Sequence, residues 1–221
     1  MNQTVTKQLT AAGRRIEQDS FAIIDREVGP HAYSDSQWPL VRRLIHSSGD
    51  FDFNGLTRFH PRAVQAGIDA VLAGAPVVAD VAMIGAGLSQ VRLARFGVKV
   101  HQFMADPQVI AAAQVEGSTR AVQAMREAQR RGLLDGAILG VGNAPTALLE
   151  VLRLIREGQA RPALVIGMPV GFVSAAEAKD ALAAIEDPPW ILTAGRKGGS
   201  TLVVAAIHAL LALAESHQGN P

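Results

Sequence analysis

The chain has 221 residues, 48% of them hydrophobic, with a formal net charge of +1 and no cysteine. That length and apolar content suit one compact domain with a sizeable core, so residues 1–221 are read as a single domain with loose ends at 1–5 and 216–221. A near-neutral charge supplies no field for nucleic acid, and the missing cysteines remove disulfides, thiolate catalysis and cysteine-based metal sites together.

The first chemically telling stretch is Val41 to Asp50. Leu40, Val41 and Leu44 make an apolar helix face there, and Arg43 and His46, three residues apart, project from one side near the helix end. A cation and a proton donor then share one surface; the competing reading is a solvated basic turn whose histidine is favoured by the helix dipole. Further on, runs rich in Val and Ile predict strands over 76–79, 98–103, 137–141, 163–167 and 190–193. Helical patterns over 61–72, 107–131, 145–157, 174–185 and 200–215 lie among them, with Gly117 dividing the second and Ser118 as the N-cap of its latter half. Alternating strand and helix predict a three-layer α/β fold, a five-stranded parallel sheet with helices on both faces and the N-terminal helices packed on it. On such sheets ligands bind beyond the carboxyl ends of the strands, which directs attention to the segments that follow them.

After the first strand, the glycines following Asp80 and Met83 make a poor dinucleotide fingerprint, with Gln90 where a third glycine belongs. The turn from Gly140 to Thr146 opens a helix, so its backbone N–H groups and Asn143 could hold an anion; the alternative is glycine used only for a tight turn. Pro145 occupies its third-glycine position, against a nucleotide. After the last strand, Arg196 and Lys197 stand before a helix start at Ser200, a setting for a carboxylate or for solvated loop charges. Thr119 and Arg120 offer another carboxylate site, unless Arg120 pairs with Glu116 or Glu127. His31, His60, His101, His208 and His217 lack metal-ligand spacing. Neither a signal peptide nor an apolar run of membrane-spanning length is read, so no membrane association and a cytoplasmic location are expected.

In order along the chain, SFAIID at 20–25, VRRLIHSSGD at 41–50, VGNAPTAL at 141–148, MPVGFV at 168–173, AEAKDAL at 176–182 and GRKGGS at 195–200 resemble the precorrin-8X methylmutase family, from about residue 20 to about residue 209. The resemblance implies an isomerase that moves a methyl group from C11 to C12 of precorrin-8X or cobalt-precorrin-8, giving hydrogenobyrinate or cobyrinate in cobalamin biosynthesis. It implies a flavodoxin-like fold and a homodimer and leaves room for contact with neighbouring pathway enzymes; no cofactor or protein-bound metal is expected, given the missing cysteines, the lack of paired histidine ligands and the incomplete dinucleotide fingerprint. It further implies that His46 protonates the tetrapyrrole and promotes a 1,5-sigmatropic shift, that Arg43 clamps a carboxylate, and that Ser20 donates a hydrogen bond. Asp80 and Met83 line the pocket on the same ground, Thr119 and Arg120 resemble a further family segment, and Asn143, Arg196 and Ser200 join the substrate surround from the turns described above. Imidazole suits the proton role, since its ordinary pKa of about 6.5 allows both protonation and release near neutrality.

Two departures stand out: Ala79 replaces the family's cysteine before Asp80, and residues 93–104 differ from the family pattern in a way expected to reshape the pocket. They leave open the cobalt-free or cobalt-containing substrate, and two other readings: a corrinoid carrier without turnover, and a nucleotide-dependent α/β enzyme suggested by the glycine turns.

Overall fold

A computed structural model describes residues 10–218. Helices α1 (Ala11–Glu27) and α2 (Trp38–Ser48) come first, then a single turn, α3 (Phe53–Leu56), strand β1 (Thr57–Phe59) and helix α4 (Ala63–Leu72). The chain continues through β2 (Val77–Ala79), α5 (Ala82–Gly87), α6 (Gln90–Phe96), β3 (Val100–His101), α7 (Pro107–Val115) and α8 (Arg120–Arg130). It ends with β4 (Ile138–Val141), α9 (Pro145–Arg156), β5 (Leu164–Gly167), α10 (Ala175–Ala183), β6 (Trp190–Thr193) and α11 (Ser200–Gln218).

The sheet has six strands in the order β1-β6-β5-β4-β2-β3, not the five expected. The five expected strands run parallel to their neighbours, and β1 adds an antiparallel edge to β6 through Thr57–Thr193, Arg58–Leu192 and Phe59–Ile191. A three-residue strand reading Thr-Arg-Phe is too short for a period-two pattern to show in sequence. Side chains alternate between two cores, as the pleat requires. Val77, Ala79, Ile138, Leu164, Ile166 and Ile191 enter the core built with α2, α4, α5, α6 and α11. Val78, Leu139, Val141, Val165 and Leu192 enter the core built with α7, α8, α9 and α10.

Several local expectations shift. Gly117 does break the long helix, at a φ of +60°, but Thr119 is the N-cap, accepting from the Val122 N–H at 3.2 Å. Ser118 instead accepts from the Gln123 side-chain amide at 2.8 Å. The last helix runs on to Gln218 through a stretch expected to be loose; residues 219–221 and 1–5 lie outside the described residues. By length and composition α11 could cross a membrane, yet most of it is buried in the first core. There Arg92 of α6 grips Glu215 with two bonds of 2.9 Å, and the His208 ring accepts the Ser89 N–H at 3.0 Å.

Candidate functional site

Three helices converge on a cavity of about 530 Å³, and each presents residues spaced i, i+3 and i+4. From α2 come Arg43, His46 and Ser47; from α5, Met83, Ala86 and Gly87; from the start of α11, Thr201, Val204 and Ala205. The helices α5 and α11 leave the carboxyl ends of β2 and β6, which is where a parallel sheet places its ligands. Gly87 permits their close approach: a Cβ there would lie 2.8 Å from a Val204 methyl. Arg43, His46 and Met83, all selected from sequence, therefore line one cavity.

Helix α2 is well defined locally. Pro39 sits in its first turn, Leu40, Val41, Leu44 and Ile45 bury its inner face, and Gly49 ends it in a left-handed conformation at φ +68°. Helix α1 lies against its other side. Phe21 meets the His46 ring edge-on, with centroids 5.2 Å apart, while the Arg42 and Arg43 guanidiniums lie 4.5 and 5.2 Å from the same phenyl centroid. Glu17 accepts from Arg43 at 2.9 Å, and Asp25 accepts from Arg42 at 2.7 Å and from Trp38 at 2.9 Å. Arg43 is buried; loss of solvation pulls its guanidinium below the usual range, and Glu17 opposes that. The expected free carboxylate clamp is thus an internal ion pair with one side turned to the cavity.

Ser20 lies on the far side of His46, in a smaller hollow of about 320 Å³ that His46 also lines. Its hydroxyl donates to the Ile16 carbonyl of its own helix at 2.8 Å, so in place of the expected donor it presents an acceptor.

The glycine turn after β4 differs from expectation in a specific way. Asp80 is fully buried, and its carboxylate accepts from the N–H groups of Gly142, Asn143 and Ala144 at 3.1, 2.7 and 2.8 Å. Burial pushes its carboxyl above the ordinary range and those three amides oppose the shift. The amides expected to hold an external anion are therefore occupied by an internal one, and Asp80 braces the turn from below without lining the cavity. Asn143 is left exposed on the turn. Gly142 is required by crowding: a Cβ would lie 2.6 Å from the Ser200 Cα.

The other selected residues are scattered. Ser200 is buried at the start of α11, next to the cavity-lining Thr201. Arg196 is exposed with its guanidinium 5.4 Å from the Phe172 ring. Lys197 donates to Asp50 and Asp52, at 2.6 Å from each. Thr119 meets Thr146 at 3.1 Å, and Arg120 lines a separate shallow hollow beside Ser118. None of residues 93–104 lines the cavity; they form the end of α6 and the edge strand β3, so the expected reshaping of the pocket is not seen at its wall. Among the described residues no group of three or more His, Asp or Glu side chains could hold a metal ion.

Sequence reading missed Glu17, Phe21, Lys179 and Thr201. The first two were discoverable, since Glu17, Phe21 and Asp25 repeat every four residues and so form one face of α1. Lys179 carried no local signal: its ammonium is fully buried in α10, bonded to the Lys197 carbonyl at 2.8 Å, and burial lowers its pKa to about 8.

Comparison with known proteins gives consistent findings. The family model for precorrin-8X methylmutase matches residues 15–213. Cobalt-precorrin-8 methylmutase of Leptospira interrogans is 48% identical over 212 residues, 94% of this chain and 96% of that protein. Its counterpart from Priestia megaterium is 48% identical over 214 residues, 97% of this chain and 94% of that protein. The solved structure of a precorrin-8X methyl mutase from Thermus thermophilus superimposes with a TM-score of 0.86 at 55% identity, covering 93% of this chain and 98% of that one.

Proposed function

The chain belongs to the precorrin-8X methylmutase family, and on that premise we propose that the cavity between α2, α5 and α11 holds the tetrapyrrole, with His46 as its proton donor. The protein is an isomerase of cobalamin biosynthesis that moves a methyl group within one molecule. A single observation carries the assignment of the site: Arg43 and His46 of α2 and Met83 of α5, from helices separate in sequence, line the same cavity.

Migration of a methyl group around a conjugated ring needs the ring polarised, and protonation of the macrocycle achieves this. In the proposed mechanism His46 delivers a proton to the ring system, the methyl group moves from C11 to C12 by a 1,5-sigmatropic shift, and the proton returns. The product is hydrogenobyrinate, or cobyrinate when cobalt is already in the macrocycle. Phe21 limits the rotation of the imidazole, which favours one donor geometry over many. Met83, Ala86, Val204 and Ala205 supply an apolar wall suited to the face of a planar ring and poor at holding water near the reacting atoms. Arg43, fixed by Glu17, places a cation beside the donor where a substrate carboxylate can align.

The same proposal treats the described chain as one methylmutase domain, supported by its continuous sheet, and as flavodoxin-like, supported by the order β3-β2-β4-β5-β6 of its parallel strands. A homodimer and contacts with neighbouring pathway enzymes rest on the family resemblance alone, and a cytoplasmic location is an expectation from the sequence. Incubating purified protein separately with precorrin-8X and cobalt-precorrin-8, and following the visible spectrum, tests the function. Conversion of either supports it, and conversion of one alone fixes the cobalt content of the substrate; binding of both with no spectral conversion would make the protein a carrier.

A further inference from the structure

The loop between β6 and α11 is held from two directions. Inside, the Lys197 carbonyl accepts from the buried Lys179 ammonium at 2.8 Å and from the buried Thr193 hydroxyl at 2.9 Å. Outside, the Lys197 ammonium bonds Asp50 and Asp52, 2.6 Å from a carboxylate oxygen of each. Those acids are themselves set in place by the turn that leaves α2. The Asp50 N–H donates to Ser48 Oγ at 3.2 Å, and the Asp52 N–H donates to Asp50 Oδ1 at 2.9 Å.

This tie joins two walls of the cavity. Asp50 follows His46 by four residues, and Lys197 precedes Thr201 by four, so the bridge connects the turn just after α2 to the loop just before α11. An isolated exposed ion pair contributes little, because hydration and side-chain entropy offset the attraction. Here one ammonium meets two carboxylates whose backbone is already ordered, and its own carbonyl is gripped by buried groups, so much of the ordering cost is met by the surrounding turn. Among the described residues Lys179 forms no ion pair; its ammonium is spent on the Lys197 carbonyl.

We propose that Lys197 is a positioning residue that sets the spacing of α2 and α11 through Asp50 and Asp52, without touching substrate. The inference rests on His46 acting as the proton donor, since the tie would serve to hold that helix end in register with the opposite wall.

The test compares Lys197→Met, Asp50→Asn/Asp52→Asn and the triple variant, with Lys197→Arg as the conservative control. For each, kcat and KM with precorrin-8X are measured, together with precorrin-8X affinity by absorbance. The expected result is a fall in kcat of about fivefold for Lys197→Met and for the double variant, with affinity unchanged and the triple variant no worse. Lys197→Arg should recover most of the loss. If Lys197→Met loses affinity while the double variant binds as tightly or tighter, Lys197 is a substrate contact and the inference is overturned. Additive losses in the triple variant, or no change in kcat in any variant, overturn it equally. Retained turnover in His46→Ala would remove only the donor reading, because coupling between Lys197 and the two acids is read from ratios that do not depend on which group supplies the proton.

Discussion

His46 and Arg43 occupy successive turns of α2, but α1 decides what they can do. Phe21 takes the edge of the imidazole and lies within cation–π reach of both neighbouring guanidiniums, so three groups able to carry positive charge are arranged around one phenyl ring. Glu17 then orients the buried Arg43. A lysine at position 43 keeps the charge but loses the planar fork needed to serve Glu17 and a substrate carboxylate at once. Arg43→Lys should therefore weaken corrinoid binding about tenfold or more, within the range for a charge-assisted hydrogen bond. Titration by absorbance decides it, and parental affinity in the variant would mean that Arg43 contributes only diffuse charge.

At the scale of elements, the carboxyl edge of the sheet is fixed by contacts between turns. The turn after β4 lies so close to the start of α11 that only glycine fits at position 142, where a Cβ would meet the Ser200 nitrogen at 2.8 Å as well as its Cα at 2.6 Å. Because those are backbone atoms, Gly142→Ala must move a turn or a helix start, at a cost of about 1–3 kcal/mol. Denaturant unfolding would show this as a lower midpoint, and an unchanged midpoint would mean that the turn relaxes freely. Lys179 gives a pH-dependent counterpart. Its pKa is lowered to about 8 from an ordinary 10.5, so between those values the unfolded chain binds more protons than the folded one and the stability contribution of this residue rises with pH. The melting temperature of the parent should therefore climb relative to that of Lys179→Met as pH passes from 8 towards 10.5. A difference that stays flat across this window would contradict the buried-charge account.

Across the whole molecule, the parallel strands were legible because buried strands are written as short Val- and Ile-rich runs separated by helical periodicity. Strand β1 was not, because Thr57, Arg58 and Phe59 are too few to establish a pattern and pair only through the distant β6. The cavity was legible in part. Arg43 and His46 shared a helix face and could be seen together, and Met83 was reached through the family resemblance. Asp80 was placed correctly near the carboxyl edge but given a ligand's partner, since no sequence pattern reveals that its oxygens are filled by amides more than sixty residues away. The clasp formed by Lys179 and Lys197 was invisible for the same reason: its members lie on three separate segments brought together only by the fold.

His46 as the source of the proton for methyl migration is put to the test by comparing His46→Ala with the parent, side by side, for turnover of precorrin-8X at saturation and for precorrin-8X affinity. General acid catalysis is worth about 10²–10⁴-fold, so kcat should fall at least a hundredfold with affinity retained. Turnover within about tenfold of the parent would contradict it and assign the proton to another group or to water.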